Sequence, residues 1–266
     1  MLAAAAAVAM AGAAVASVWP RLRRYVDAAC TPGACAPRAS ARCQRVSRAV
    51  VRACVNLQVG PVSVVGPPHQ LSELRPFILA ANHSHYADGL VIAVALGFPA
   101  YGYGFVAHGA LTWAWGLGAL SLASLNTVCV DLRRGRGVGA FRTGVRLLTS
   151  GNALLVFPEG WAHMDGRRGQ YQNGTVAMAQ RAAALSGRAV FVVPASIRYP
   201  RHPGAWITTW PPAWQYAIAL LAFPFFRRGA TMTLGTPIDA RDLPTDVNEA
   251  TRRLEAAIDA LSSSRL

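Results

Sequence analysis

The chain has 266 residues and a formal net charge of +14, and all 26 of its basic residues are arginines. Only 14% of the residues are charged, whereas 53% are hydrophobic. This composition excludes an intrinsically disordered chain, because such chains combine low hydrophobicity with abundant charge. The length suits one domain with a substantial core, alone or with an appendage.

The charged residues are unevenly distributed along the chain. Three segments, 1–20, 89–130 and 202–226, contain no Asp, Glu, Lys or Arg. Proteins that bind nucleic acid usually interleave arginines with polar and aromatic residues along a groove. Here the arginines instead flank apolar blocks, as they do beside anionic lipid headgroups. We therefore expect membrane lipids, and no nucleic acid, among the partners.

The first apolar segment, Met1–Trp19, is followed by Arg21, Arg23 and Arg24. No basic residue precedes it, so it does not fit a cleaved signal peptide. A helix of this length extends about 28 Å, close to the thickness of a bilayer core, and arginines after it would keep that end in the cytoplasm. We interpret it as a membrane span or signal anchor. A helix lying in the membrane interface and a misassigned chain start are the alternatives.

A group of arginines at helical spacing follows, namely Arg38, Arg42, Arg45, Arg48 and Arg52. Another face of the same helix would carry Cys43, Val46, Val50 and Leu57. The pattern predicts a basic amphipathic helix lying on a membrane, with an ordinary solvated face as the alternative. Arginines without an acidic partner in the stripe repel one another, which favours the membrane. We therefore expect residues 1–54 to form membrane-associating helices, an anchor followed by the basic amphipathic region.

The cysteine count also bears on the compartment. The five cysteines are an odd number and form no Cys-x-x-Cys pair, which argues against a zinc ribbon or a fully paired disulfide scaffold. Reduced thiols that face the cytosol fit better. We expect the protein at a membrane, on its cytoplasmic face, either anchored or peripheral.

Predicted strands and helices alternate in the rest of the chain. Strands are predicted over residues 56–65, 77–81, 127–130, 153–157 and 189–193, and helices over 89–96, 139–150, 175–185 and 246–261. This alternation predicts an α/β domain over residues 55–245, followed by a C-terminal helix in 246–266. Two further apolar segments, 109–125 and 210–226, are interrupted by glycine or proline and are predicted to be buried or interfacial.

His83 and Asp88 lie in a polar segment directly after the predicted strand 77–81. Loops at strand ends are where α/β folds place reactive groups. A histidine can take a hydroxyl proton near neutral pH, and a nearby carboxylate can orient its ring and stabilise the imidazolium. The offset works if His83 precedes the helix and Asp88 lies in its first turn. Taken alone, the pair also fits a polar loop with a capping aspartate.

Four blocks resemble, in order and spacing, those of the glycerolipid acyltransferases that acylate lysophosphatidic acid. Asn82–Gly89 resembles that family's His-x4-Asp block, and Val156–Gly160 resembles its Phe-Pro-Glu-Gly block. Val128–Arg134 resembles the intervening strand-Asp-Arg block, and Phe191–Ala195 resembles the last block, a strand that ends in proline. The resemblance extends over roughly residues 55–240 and is specific because the four blocks occur together.

The resemblance implies one α/β domain with a mixed sheet flanked by helices. It also implies transfer of an acyl group from acyl-CoA or acyl-carrier protein to a lysophospholipid hydroxyl, most simply that of 1-acyl-glycerol-3-phosphate, without a metal or bound cofactor. His83 would be the general base and Asp88 its orienting partner. The residues that would contact substrates are Arg133 or Arg134 at the acceptor phosphate, Glu159 and Gly160 at the acceptor site, and Pro194 at the acyl-donor pocket.

The chain departs from the family pattern after Glu159. The family block continues Gly-Thr-Arg-Ser, and its arginine is a phosphate ligand, whereas this chain continues Gly160–His163 with the sequence Gly-Trp-Ala-His. The implied phosphate clamp is therefore incomplete. Either Arg167 or Arg168 substitutes, or the acceptor is another hydroxylated lipid, such as a different lysophospholipid or an aminoacyl lipid.

Two other function classes stay open. The segment His83–His85 followed by Asp88 superficially resembles the His-x-His-x-Asp-His motif of metallo-β-lactamase-type hydrolases, which bind two zinc ions. The carboxylate here is one position too late, and no histidine follows it. A non-enzymatic membrane-binding protein would explain the apolar blocks and the arginines, but it leaves the polar segment 83–88 without a role.

Overall fold

The computed structural model describes residues 2–30, 39–67, 71–85, 87–97, 102–107, 123, 128–130, 137–163, 167–200 and 229–263. The helices in these ranges are α1 (Leu2–Cys30), α2 (Ala41–Gln58), α3 (Asp88–Ala95), α4 (Val138–Thr149), α5 (Gly174–Ser186) and α6 (Val247–Ser263). The strands are β1 (Val62–Val65), β2 (Phe77–Ala81), β3 (Gly102–Ala107), β4 (Val128–Val130), β5 (Ala153–Val156), β6 (Phe191–Arg198), β7 (Ala230–Leu234) and β8 (Ile238–Asp239).

The described strands form one mixed sheet. Its spatial order is β1-β7-β6-β2-β5-β3-β4, and β8 pairs with β6. The pairs from β6 through β2, β5 and β3 to β4 are parallel, whereas β7 and β8 run antiparallel to β6. The mixed α/β sheet flanked by helices is therefore confirmed.

The central strand β2 is apolar along its whole length because both of its faces are covered. All five of its residues are buried. Ile78 and Ala80 pack with α4, α5 and α6 on one face, and Leu79 and Ala81 pack with α2 and α3 on the other. This burial fixes the strand, and so it fixes the start of the polar segment that follows.

The region before β1 differs from the prediction. Residues 56–58 belong to α2, and β1 begins only at Val62. Val51, Val55 and Val59 are buried in the core beneath the sheet. Their spacing of four residues continues one helical face, and this packing outweighs the β propensity of valine.

Strand β6 also differs from the prediction, which ended it before Pro194. It runs through Pro194 to Arg198, and its residues 192–197 are all buried. Proline lacks only the N–H donor, and the Pro194 carbonyl still accepts a hydrogen bond from the Gly235 N–H at 2.8 Å. The strand therefore continues past a residue that normally ends a central strand.

The N-terminal helices α1 and α2 pack against each other. Helix α1 continues through Pro20, beyond the predicted apolar segment. Val18, Leu22 and Tyr25 of α1 are buried in a cluster with Cys43 of α2. Among the helices in the described ranges, none is both long and apolar enough to cross a membrane.

The predicted apolar face of α2 is partly wrong. The residues that α2 buries are Cys43, Ser47, Val51 and Val55. Leu57, predicted on that face, is 65% exposed, because α2 turns its buried face first to α1 and then to the core beneath the sheet. The predicted segments 109–125 and 210–226 lie outside the described residues, apart from Ala123, which is buried beside α1 and α2.

Candidate active site

A short polar loop follows β2 at the carboxyl end of the sheet's central strand, and α3 begins at Asp88. Asp88 thus lies in the first turn of a helix, where the N-terminal dipole favours a carboxylate. The His83 Nδ1 lies 3.1 Å from the Asp88 Oδ2. The Asp88 side chain is fully buried, and that of His83 is 18% exposed. The structure therefore brings together the two residues that the sequence singles out.

The Asp88 carboxylate is surrounded by donors. Its Oδ2 accepts hydrogen bonds from the main-chain N–H groups of Ser84 at 2.7 Å and His85 at 2.8 Å. Its Oδ1 accepts one from the Tyr199 hydroxyl at 2.6 Å. Burying a charge is costly unless such bonds replace its hydration, and charge-assisted bonds are the strongest replacement. The loop thus holds a buried anion directly beside an imidazole.

The His83 ring is fixed in orientation as well as in position. It stacks on Phe157, with ring centroids 4.0 Å apart and an interplanar angle of 14°. A carboxylate can only accept hydrogen bonds, so the His83 Nδ1 is the donor to Asp88. In that tautomer the lone pair lies on Nε2. The arrangement can therefore remove a proton from a hydroxyl placed at Nε2.

Glu159, which follows β5, joins two loops through its buried carboxylate. Its Oε1 accepts the His83 main-chain N–H at 2.7 Å, and its Oε2 accepts the Gly169 N–H at 2.7 Å. Gly160 follows with φ +72°, a left-handed conformation that glycine adopts without strain. Both carboxylate oxygens thus hold main chain in place around His83.

His163 completes the support of His83 from the other side. Its main-chain N–H donates to the His83 carbonyl at 2.8 Å, and its Nε2 lies 3.8 Å from the Glu159 Oε2. The imidazole packs directly on Gly169, where a Cβ would overlap the ring and lie 3.0 Å from the Glu159 Oε2. The peptide groups on both sides of His83 are therefore held by the segment after β5.

The other predicted site residues lie elsewhere or outside the described part of the chain. Pro194 lies on β6, opposite Ala80 of β2. Arg133 and Arg134 lie outside the described residues. Of the two possible substitutes for the missing phosphate arginine, Arg168 forms an ion pair with Asp259 of α6, and Arg167 is exposed.

The sequence analysis did not identify two side chains that contact His83 and Asp88. Tyr199, which follows β6, is 111 positions from its partner Asp88, so no local motif connects them. Burial and the neighbouring Asp88 carboxylate raise the pKa of the Tyr199 hydroxyl well above its ordinary value, which keeps it a proton donor in the hydrogen bond. Phe157 lies within a recognised block, but only the fold places its ring under His83.

The same geometry bears on the alternative of a metal site. The His85 Nδ1 accepts the Ala87 main-chain N–H at 3.1 Å and so caps its own loop. Within the described ranges, no group of three or more His, Cys, Asp or Glu side chains is placed to hold a metal ion.

Comparisons with known proteins agree with the resemblance seen in the four blocks. Residues 63–198 match a family model described as Acyltransferase. The structure is similar to the crystal structure of the 1-acyl-sn-glycerophosphate (LPA) acyltransferase PlsC from Thermotoga maritima, with a TM-score of 0.55 and 23% identity over 85% of this chain and 83% of that one. No curated protein sequence matches the chain. Because the family model spans more than half of its length, the chain belongs to the acyltransferase family.

Proposed function

We propose that the chain is an O-acyltransferase that moves a fatty acyl group from the thioester of acyl-CoA or acyl-carrier protein to a hydroxyl of a lysophospholipid-type acceptor. The observation that carries this proposal is the contact of 3.1 Å between the His83 Nδ1 and the Asp88 Oδ2. It leaves the basic Nε2 for substrate, at the carboxyl end of the central strand of an acyltransferase-family domain.

The reaction follows from this geometry. The His83 Nε2 takes the acceptor's hydroxyl proton while the hydroxyl oxygen attacks the thioester carbonyl carbon. Asp88 stabilises the imidazolium that forms. The tetrahedral intermediate then collapses, the C–S bond breaks, and the ester is released. The imidazolium returns its proton to the departing sulfur, which leaves as a thiol and restores His83.

The proposed reaction uses neither a metal nor a bound cofactor. A thioester is already activated toward attack by an alcohol oxygen, so the protein needs to supply position, a base and an anion beside that base. We assign Glu159 and Gly160 to the acceptor side of the site, since Glu159 accepts a hydrogen bond from the His83 main chain and Gly160 follows it directly. Pro194 is assigned to the acyl-donor pocket, on the strand next to β2.

The first candidate acceptor is 1-acyl-glycerol-3-phosphate, which would give phosphatidic acid. Arg133 or Arg134 would bind its phosphate through paired, charge-assisted hydrogen bonds. A second candidate is a different lysolipid or an aminoacyl lipid. The specific observation in its favour is that Ala162, at the family's arginine position, is buried, while Arg168 is engaged by Asp259.

We further propose that the protein works at a membrane, on the cytoplasmic face. Support comes from the exposed arginines of the N-terminal helices: Arg21, Arg23 and Arg24 on α1, and Arg42, Arg45 and Arg52 on α2. Anionic lipid attracts such side chains by about 1 kcal/mol each. A water-soluble acyl donor and a membrane-bound acceptor would then meet at the interface.

The direct test is turnover of a panel of acceptors. The purified full chain is incubated with acyl-CoA or acyl-carrier protein and, separately, lysophosphatidic acid, other lysophospholipids and an aminoacyl lipid. We expect an ester product that the His83→Ala variant does not form. Preference for lysophosphatidic acid supports the first acceptor, and preference for a lipid without a phosphomonoester supports the second. No product with any donor and acceptor overturns the proposal.

A further inference from the structure

The carboxyl end of β6 holds the loop between β2 and α3 at both of its ends. At the first end, the Asn82 Oδ1 accepts the Ile197 N–H at 2.7 Å, and the Asn82 Nδ2 donates to the Ile197 carbonyl at 3.1 Å. This side-chain amide thus continues the β2–β6 ladder by one step. At the second end, two residues further along the chain, the Tyr199 hydroxyl donates to the Asp88 Oδ1 at 2.6 Å.

We propose that Tyr199 is a positioning residue of the acyl transfer, whose hydroxyl fixes the rotation of the Asp88 carboxylate so that Oδ2 faces the His83 Nδ1. The inference rests on the proposed function. Tyr199 touches neither substrate nor the reacting atoms in this role. It acts through Asp88, and Asp88 acts through His83.

The division of donors between the two oxygens supports this role. Oδ2 receives the His83 Nδ1–H and the N–H groups of Ser84 and His85. Among the described residues, the hydrogen bond to Oδ1 comes from Tyr199. Without it, a fully buried carboxylate oxygen would lose its donor, and the carboxylate would gain by turning toward whatever donor remains.

The Tyr199 ring is held rigidly enough to act in this way. It packs against the buried cluster of β2, α2 and α3, and it meets the His85 ring at a tilt of 59° with centroids 5.8 Å apart. The raised pKa of its hydroxyl keeps it protonated at the pH where His83 must be neutral. Tyr199 therefore stays a donor throughout the cycle.

The hydrogen bond also affects the charge that His83 experiences. The donor on Oδ1 keeps Oδ2 turned toward His83, so its loss lets the carboxylate rotate and weakens the attraction between Asp88 and the imidazolium. The imidazolium would then give up its proton at lower pH than in the wild type. The titratable groups around the His83–Asp88 pair are His85 on the loop, Tyr199 after β6, and Glu159 and His163 after β5. All of them except Tyr199 are unchanged in a Tyr199→Phe variant.

The first test is the pH dependence of turnover. In Tyr199→Phe we expect kcat to fall roughly ten- to hundredfold, the change that loss of a hydrogen bond to a charged group gives. We expect the KM values to stay the same and the acid limb of the pH–rate profile to move to lower pH. The same Tyr199→Phe substitution, made in an Asp88→Asn background, should lower kcat little further, because the effects of coupled residues are not additive.

The matched control is Tyr171→Phe, which also removes a buried tyrosine hydroxyl. Within the described ranges the Tyr171 hydroxyl has no hydrogen-bond partner, and its ring packs in the core on the opposite face of the sheet. We expect wild-type kcat and an unshifted profile. Wild-type kcat in Tyr199→Phe, or a lower kcat with an unshifted profile, overturns the positioning role.

A second measurement keeps this test separate from that of the proposed function. Proton NMR of the folded enzyme without substrate follows the hydrogen-bonded Nδ1–H of His83. We expect a slowly exchanging downfield signal in the wild type and in Tyr171→Phe, and a broadened or absent one in Tyr199→Phe. If the signals behave in this way but the wild type transfers no acyl group, the proposed acyltransferase function is rejected and the contact of Tyr199 with Asp88 is not. If the signal is unchanged in Tyr199→Phe, the positioning role of Tyr199 is rejected.

Discussion

Two parts of the molecule use polar side chains in opposite ways. At the ends of β2 and β5 the polar groups are buried and engaged: Asp88 receives donors on both oxygens, and so does Glu159. On α1 and α2 six arginines lie at the surface and Arg48 is half-buried, while Leu22 and Cys43 make the buried contact. We expect the role of the first region to depend on its hydrogen-bond distances, and the role of the second to depend on its net charge. Substitutions should therefore change the rate in one region and the location of the protein in the other.

The largest effect should come from His83→Ala. It removes the proposed base, and positioned proton transfer contributes about 10²–10⁴-fold to a rate. We expect kcat/KM to fall by that factor on the pH plateau above the acid limb, measured with acyl-CoA and the preferred acceptor. Binding to anionic vesicles should be unchanged, because the arginines of α1 and α2 are untouched. Retained turnover would assign the chemistry to another residue.

Glu159→Gln should have the next largest effect. The glutamine keeps the shape of the side chain but directs an NH₂ donor at one of the two main-chain N–H groups. We expect the free energy of unfolding to fall by about 1–3 kcal/mol, the cost of a buried unsatisfied donor, and kcat to fall with it as the His83 main chain shifts. Thermal unfolding and turnover measure the two losses.

The control for this change is Glu73→Gln, at an exposed position. It removes the same charge from the surface, and we expect neither the melting temperature nor kcat to change. A Glu159→Gln variant that behaves like this control would show that the carboxylate is dispensable for holding the loop.

The core of the fold could be predicted because local pattern and burial agree there. The apolar run Phe77–Ala81 is followed at once by polar residues, so both strand and loop are predicted. The end of α2 could not be predicted, since Val55 and Val59 suit a strand by propensity and a helix by packing. In the same way, Pro194 ends a strand by local rules, yet its carbonyl accepts the N–H of Gly235, the residue directly after β7.

The candidate site was predictable only in part for a related reason. The spacing of His83 and Asp88 is compatible with their contact, because His83 lies on the loop after β2 and Asp88 lies in the first turn of α3. Tyr199 lies beyond Pro194, where the predicted strand had already ended, so nothing placed it at the same sheet edge. Glu159 was recognised by resemblance, but its bonds to main-chain N–H groups depend on how two loops meet.

Gly169→Ala tests how tightly the loop after β5 is packed, with a smaller expected effect. The added Cβ would overlap the His163 imidazole, which must move, and overpacking typically costs about 1–3 kcal/mol. We expect a lower melting temperature and a modest loss of kcat, and the double variant with His163→Ala should recover most of the stability because the ring is gone.

The matched control is Gly139→Ala in α4, where an added Cβ meets nothing within 4 Å. There we expect stability to rise slightly, since alanine suits a helix better than glycine by about 1 kcal/mol. Equal effects at Gly169 and Gly139 would show that the imidazole does not occupy the space above Gly169.

The smallest effect on catalysis should come from neutralising the exposed α2 arginines together, as Arg42→Gln, Arg45→Gln and Arg52→Gln. Each contributes about 1 kcal/mol to attraction by anionic lipid, so binding to phosphatidylglycerol vesicles should weaken strongly and become less dependent on salt. Binding to phosphatidylcholine vesicles, the melting temperature and turnover of a detergent-dispersed acceptor should stay the same, because these side chains lie at the surface.

The control removes the same charge from the opposite face of the sheet. Arg181, Arg188 and Arg252 are exposed on or beside α5 and α6, which cover the face away from α2. If membrane attraction is local to the N-terminal helices, replacing these three with glutamine leaves vesicle binding intact. Equal weakening by both triple variants would mean that the total charge of +14 sets the attraction. The site around His83 would then still depend on exact contacts, but attraction to the membrane would depend on the charge of the whole surface rather than on the arginines of α1 and α2.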